Sequence, residues 1–156
     1  RRTVEEEWLH HLPPHDPAAQ HSRRDLRWLN RRLGNAAWFR AQLAAHARPG
    51  EPVLELGAGE GELLAALREP HRPLAALDRV PPPPAWPDAW HANDVFAFDG
   101  WSGYPVVLAN LFLHHFTADQ LATLGAHLRT HARVLLFSEP ARRRRYQWLF
   151  ALACRL

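Results

Sequence analysis

Residues 53–67 read VLELGAGEGELLAAL, and this stretch decides the fold. A short apolar run enters a turn with glycine at positions 57, 59 and 61. The chain then continues into residues whose apolar positions, Leu63, Leu64 and Leu67, recur at helical spacing. Strand, glycine turn and helix in direct succession predict a ligand site. Glycine accepts positive φ and lets a ligand approach the backbone, and open α/β sheets bind ligands at the carboxyl ends of their strands. A glycine-rich turn with no ligand is the weaker reading, because strand and helix flank it on both sides.

Working outward, apolar runs alternate with helical stretches. Strands are predicted at 53–56, 74–77, 90–92, 105–110 and 133–137, and helices at 62–68 and 117–131, with a proline-rich linker at 80–84. Such alternation predicts an α/β fold, a doubly wound Rossmann-like parallel sheet with helices on both faces. Upstream, residues 3–12 and 22–33 read as helices, the second capped by Ser22 and stopped by Gly34. Asn35 then caps a third, which Pro49-Gly50 closes. Trp8, Leu26, Leu29, Leu33, Trp38, Phe39 and Leu43 are the inward candidates. Two domains follow: a helical N-terminal extension at 1–50 and a ligand-binding domain at 51–156.

The chain has 156 residues, 47% hydrophobic and 22% charged, a soluble globular balance for one core. All basic residues are Arg, and Lys, Met and Ile are absent, which reads as the imprint of a GC-rich genome. A chain without Met that opens on Arg1 and closes inside an apolar run is expected to be an excerpt. The net charge of +3 divides as +4 over residues 1–50, −6 over 51–140 and +5 over 141–156. A nucleic-acid surface is expected on the core, and the core is acidic, so no nucleic-acid partner is predicted. Cys154 is the sole cysteine, which excludes an internal disulfide and a cysteine-built zinc site and points to a reducing cytoplasm. No apolar run reaches the roughly 18 residues of a membrane span, so stable insertion is not expected. The apolar stretch at 146–156, flanked by Arg142 to Arg145, allows peripheral contact at most; a solvated turn is the plainer reading of those arginines.

The ligand class follows from details of the turn. A dinucleotide fingerprint needs a third glycine where Glu62 stands, and Glu60 and Glu62 would repel a pyrophosphate. A P-loop is excluded because there is no lysine. The turn suits a ligand with adenosine and no phosphate, and a cationic one.

The run ELGAGEG at 55–61 closely resembles the first motif of class I S-adenosylmethionine-dependent methyltransferases. The resemblance implies S-adenosyl-L-methionine as cofactor. It places the methionine part over Gly57, Ala58, Gly59 and Gly61, with Glu55 holding the amino group. Asp78, ending LAALD, is similar to the family's ribose-binding acid; a solvated surface aspartate is the bland alternative. Asn93-Asp94-Val95 resembles the adenine site, with Asp94 accepting from the exocyclic amine and the Val95 N–H reaching the ring; a loop-capping turn is the alternative. The strand ending at Asn110 is implied to face the transferred methyl. LHHF at 113–116 is similar to small-molecule members acting on quinones and phenols, and His114 stands where some phenolic enzymes carry a catalytic base. The competing reading of His114 is structural.

The motifs of 51–140 occur in family order. The helical extension is implied to lid the acceptor pocket, with Trp8, Trp28, Trp38 and Phe39 as lining candidates. Family sheets ordinarily have seven strands and five are legible here, so the expectation is that the last two are missing from an excerpt or that the domain is a reduced one. The expected function is methyl transfer to an oxygen or carbon of a small molecule of phenol, quinone or polyketide type. A cofactor-binding regulatory domain without turnover is the alternative, and an NAD-dependent oxidoreductase, disfavoured by Glu62, is a third. No metal site is expected: His127 and His131 have i, i+4 spacing but no third ligand nearby in sequence.

Overall fold

A computed structural model describes residues 34–139. The predicted helices at 3–12 and 22–33, the inward candidates Trp8, Leu26, Leu29 and Leu33, the pocket candidate Trp28, the Arg142–Arg145 run and Cys154 lie outside the described residues. The elements run α1 (Asn35–His46), β1 (Val53–Leu56), α2 (Glu62–Leu67), β2 (Leu74–Asp78), β3 (Ala89–Ala92), β4 (Val106–Asn110), α3 (Ala118–His131) and β5 (Val134–Ser138). Single-turn 3-10 segments at Gly100–Gly103 and Leu113–His115 flank β4. The five strands form one sheet in the order β3-β2-β1-β4-β5, parallel throughout.

β1 is central, with Val53 in register with Leu74 on one side and Val106 on the other. All four of its residues are buried, as expected of a strand covered on both faces. Alternation divides its side chains. Val53 faces α1 and α2 in a cluster with Phe39, Leu43, Leu63, Leu64, Leu67, Leu74, Ala76, Val106 and Leu108. Leu54 and Leu56 join Ala75, Leu77, Val107 and Ala109 beneath Val95, Phe98, Trp101, Leu124 and Leu128 on the α3 side. The doubly wound arrangement read from the sequence is thus observed.

Helix α3 begins with a complete capping box. Thr117 accepts from Gln120 N–H, and the Gln120 side chain accepts from Thr117 N–H at 2.9 Å. Two expectations for α1 need correction. Asn35 is its first helical residue, not its cap, because Gly34 in the left-handed conformation (φ 67°) precedes it and the Asn35 side chain is used elsewhere. Trp38, expected inward, is 43% exposed, whereas its neighbour Phe39 is fully buried. Adjacent residues on a helix point about 100° apart, so one of the pair faces the sheet and the other turns out. Phe39, committed to the core, cannot line a pocket.

At the amino ends of the strands, Arg133 donates Nε–H to Glu51 Oε1 at 3.0 Å and Nη2–H to the His46 carbonyl at 3.0 Å, and also pairs through Nη2 with Glu51 Oε2. This joins the end of α1, the approach to β1 and the start of β5. Among the described residues no helix is long and apolar enough to cross a membrane.

Candidate functional site

The carboxyl ends of β1, β2 and β4 converge on the glycine turn. Gly57 N–H continues the β1 ladder to the Leu77 carbonyl at 2.9 Å, so the turn starts locked to the sheet. Gly57 and Gly59 have φ of 66° and 59°, values that favour glycine. The two differ in surroundings. A Cβ on Gly57 would lie 2.1 Å from Phe112 Cδ2 and 2.7 Å from its Cγ, whereas one on Gly59 would meet nothing within 4 Å among the described residues. Phe112 therefore seals one side of the turn, and among the described residues nothing covers Gly59 in the same way. Gly61 is covered by the Trp86 indole, 2.4 Å from where a Cβ would sit, and its N–H donates to the Ala58 carbonyl at 2.8 Å. Ala58 itself is buried.

Asp78 lies across this turn from the end of β2. Its Oδ2 accepts from Gly59 N–H at 2.7 Å and its Oδ1 from Val80 N–H at 2.9 Å. One carboxylate thus fixes two loops, and each oxygen keeps a lone pair for a further donor. Glu55 is 3% exposed, the only buried charged or polar residue among those described, and its Oε2 has no hydrogen-bond partner among them. Burial pushes its carboxyl well above the usual carboxylate range and the nearby Asp78 charge adds to this, against a Leu64 backbone N–H that lowers it. A buried carboxylate oxygen without a partner is costly. An incoming cation beside it would remove that cost.

Asn110 ends β4, and its Oδ1 accepts from Asn35 Nδ2 at 3.0 Å, which ties the start of α1 to the carboxyl edge of the sheet. Asp94 is engaged in its own loop: Oδ1 accepts from Phe96 N–H at 2.8 Å, while Asp94 N–H donates to Asn93 Oδ1 at 2.8 Å. Val95 is buried in the α3-side core, so its side chain packs and only its backbone is available to a ligand. Asp94 and Val95 make no direct bond to Asp78; the link is through Asn93 N–H, which donates to the Asp78 carbonyl at 2.9 Å.

Beyond β4 the backbone is unusual. Leu111 has φ of 52°, a conformation that branched or bulky residues rarely hold. Its N–H donates to the Ser138 carbonyl at 2.8 Å. His114 Nδ1 lies 2.8 Å from Glu139 Oε2, and its ring packs on His115 with centroids 4.1 Å apart. Glu139 Oε1 accepts from Phe112 N–H at 3.0 Å and from Leu113 N–H at 2.6 Å. Burial alone would raise the Glu139 carboxyl, but the hydrogen bond and charge of His114, with the Leu113 and Phe112 N–H groups, outweigh it and hold it low. Glu139 escaped the sequence reading, since its partners stand some 25 positions earlier. The only available signal was an acid at the end of a predicted strand in an open sheet. Phe112, Phe116 and Phe96 form an edge-to-face aromatic chain beside this segment, with centroids 5.0 and 5.3 Å apart. His127 stacks on Trp101 at 6.2 Å.

Two open hollows lie elsewhere, about 480 Å³ lined by residues including Pro52, Pro73 and Tyr104, and about 410 Å³ lined by residues including Ala47, Gly50 and Arg72. Pro52 and Pro73 precede β1 and β2, so the first sits at the amino ends of the strands, where sheets of this kind do not bind their ligands.

No protein-family model and no curated protein matches this chain. Solved structures do. A 1,6-didemethyltoxoflavin N1-methyltransferase from Burkholderia thailandensis, crystallised with its heterocycle and S-adenosylhomocysteine, is 27% identical, with TM-score 0.51 over 78% of this chain and 61% of its own. The magnesium protoporphyrin IX methyltransferase of Synechocystis, with bound S-adenosylmethionine, gives 0.53 at 17% identity over 83% of this chain and 66% of its own. The plantazolicin methyltransferase BpumL, in complex with S-adenosylhomocysteine, gives 0.52 at 15% identity over 80% and 51%. The chain thus spans between about half and two-thirds of these neighbours' lengths. By these structural likenesses, the chain is built on the fold of the class I S-adenosylmethionine-dependent methyltransferases.

Proposed function

We propose that this protein transfers a methyl group from S-adenosylmethionine to an oxygen or carbon of a small phenol, quinone or polyketide-like molecule, in the cytoplasm and without a nucleic-acid partner. The observation that carries the reading is the pairing of Glu55 with Asp78 around Gly59: a buried carboxyl whose Oε2 lacks a partner among the described residues, beside a carboxylate already bonded to Gly59 N–H. A cationic amino-acid group suits the first, and a vicinal diol suits the second. These groups fit the cofactor, and the neighbour at 27% identity, crystallised with S-adenosylhomocysteine, supports the assignment.

Glu55, with Gly57, Ala58, Gly59 and Gly61, would hold the methionine part, Asp78 the ribose, Asp94 and Val95 the adenine, and Asn110 would stand by the reacting centre. When bound, the cofactor supplies an electrophilic methyl on a sulfonium. The residues of this chain then act mainly by orientation. Phe112 seals one wall of the turn against water, and the partly buried aromatic chain beside it suits a flat acceptor. His114 would take the proton of an acceptor hydroxyl. A second reading, transfer to a ring nitrogen, is favoured by the heterocycle N-methylating neighbour.

Calorimetry with S-adenosylhomocysteine tests the proposal. The full chain is expected to bind, and Asp78→Ala to weaken binding by at least about tenfold, or ~1.4 kcal/mol. Absence of binding by the wild-type chain would refute the reading. Binding with no methylation of any phenol, quinone, polyketide or N–H heterocycle would favour a regulatory domain without turnover.

A further inference from the structure

Two backbone N–H donors and an imidazole nitrogen from the segment after β4 converge on one carboxylate. Phe112 N–H and Leu113 N–H reach Glu139 Oε1, and His114 Nδ1 reaches Oε2. We propose that Glu139 is a positioning residue with two separable tasks: its Oε1 holds the backbone that seats Phe112 against Gly57, and its Oε2 fixes the tautomer of His114. The second task rests on the role of His114 given above; the first does not.

The backbone task follows from strain and contact. Leu111 holds a φ of 52°, so the segment needs external restraint to stay where it is. Its restraints come from the end of β5: Leu111 N–H on the Ser138 carbonyl and the next two N–H groups on Glu139. With the backbone pinned at residues 111–113, the Phe112 ring lies where a Gly57 Cβ would be. Glu139 thereby shapes the glycine turn through a side chain it does not touch.

The tautomer task follows from chemistry. An ionised carboxylate can only accept, so the histidine nitrogen facing it must carry the hydrogen. Burial opposes ionisation of Glu139, but the His114 and backbone hydrogen bonds outweigh it. With the proton on Nδ1, Nε2 of neutral His114 keeps its lone pair. In the step envisaged, the O–H bond of the acceptor breaks, its proton forms an N–H bond at Nε2, and the imidazolium is balanced by the Glu139 carboxylate.

Glu139→Gln separates the tasks. The amide oxygen can still accept from Phe112 and Leu113, but the amide NH₂ donates, so Nδ1 must accept and the proton moves to Nε2. Glu139→Ala removes both. Nitrogen NMR of His-labelled protein, assigned with His114→Asn, reads the tautomer; calorimetry with S-adenosylhomocysteine and urea unfolding read the backbone. We expect Nδ1–H in the wild type and Nε2–H in Glu139→Gln, with homocysteine-nucleoside affinity retained to within about threefold. Glu139→Ala should lose about tenfold or more in affinity and unfold at lower urea than Glu139→Gln. A wild-type Nε2–H tautomer, an unchanged Nδ1–H in Glu139→Gln, or wild-type affinity and midpoint in Glu139→Ala would each overturn the proposal. Failure of the wild type to bind would sink the methyltransferase reading instead, and the NMR and unfolding results would still decide the role of Glu139.

Discussion

Gly57→Ala and Gly59→Ala form a matched pair of perturbations. Both glycines have positive φ, so alanine at either position meets the left-handed penalty of about 1–2 kcal/mol. At Gly59 that is the whole expected effect, because a methyl group there meets nothing within 4 Å among the described residues. At Gly57 the methyl would fall inside the Phe112 ring, 2.7 Å from Cγ as well as 2.1 Å from Cδ2. A contact with Cγ cannot be relieved by swinging the far end of the ring. Since Glu139 pins the Phe112 backbone, relief requires a new rotamer or a broken hydrogen bond. Overpacking of this kind costs about 1–3 kcal/mol, which brings Gly57→Ala to roughly 2–5 kcal/mol. Urea unfolding followed by tryptophan fluorescence measures both, with stability read from the midpoint at constant slope. The decisive comparison is the double variant with Phe112→Ala, which should recover the steric part as a coupling of about 1–3 kcal/mol with Gly57→Ala and none with Gly59→Ala. Equal destabilisation by the two glycine variants, or no coupling to Phe112→Ala, would refute the packing argument.

Glu55→Gln addresses the buried acid. The folded carboxyl titrates above the unfolded one, so as pH rises out of the ordinary carboxylate range the unfolded state loses its proton first and the wild type loses stability. The glutamine variant should lack that decline and overtake the wild type at neutral to alkaline pH, while binding S-adenosylhomocysteine more weakly; denaturation midpoints across pH check the first and calorimetry the second. At the opposite end of the sheet, Glu51 has its carboxyl lowered, first by the Arg133 hydrogen bond and then by the Arg48 backbone N–H. Its contribution is present above the ordinary carboxylate range and fades as pH falls through the lowered value, so Arg133→Ala should flatten the acid side of the thermal-stability profile. Leu124→Ala, in the α3-side core and 1% exposed, should cost about 2–5 kcal/mol by urea unfolding without changing ligand affinity.

The central strands were readable because burial on both faces leaves a largely apolar run, unbroken in VVLA and interrupted only by Glu55 in VLEL. AWHA at the edge carries less signal, since it is partly exposed along its whole length. Parts of the candidate site tied to local pattern were equally legible: the glycine turn follows from the strand–turn–helix succession, and the carboxylate of Asp78 from its place at a strand end. Glu139 was not, because its partners belong to a segment that only the β4–β5 pairing brings close. Asn35 failed for a related reason: its side chain reaches Asn110, 75 positions away, when a local rule assigned it to a helix end. Local rules also could not choose between Trp38 and Phe39, since two aromatic neighbours on one helix look alike until the sheet is placed.

The sheet order has a consequence for how the chain is made. β1 lies between β2 and β4, and its second neighbour begins only at Val106, paired with Val53. At the usual ribosomal rate of about 5–20 residues per second, this fully buried strand waits roughly 3–10 s for that partner after its own synthesis. Through that interval one edge of VLEL stays unpaired, so the yield of folded protein should depend on elongation speed and on chaperones that shield a strand awaiting its neighbour.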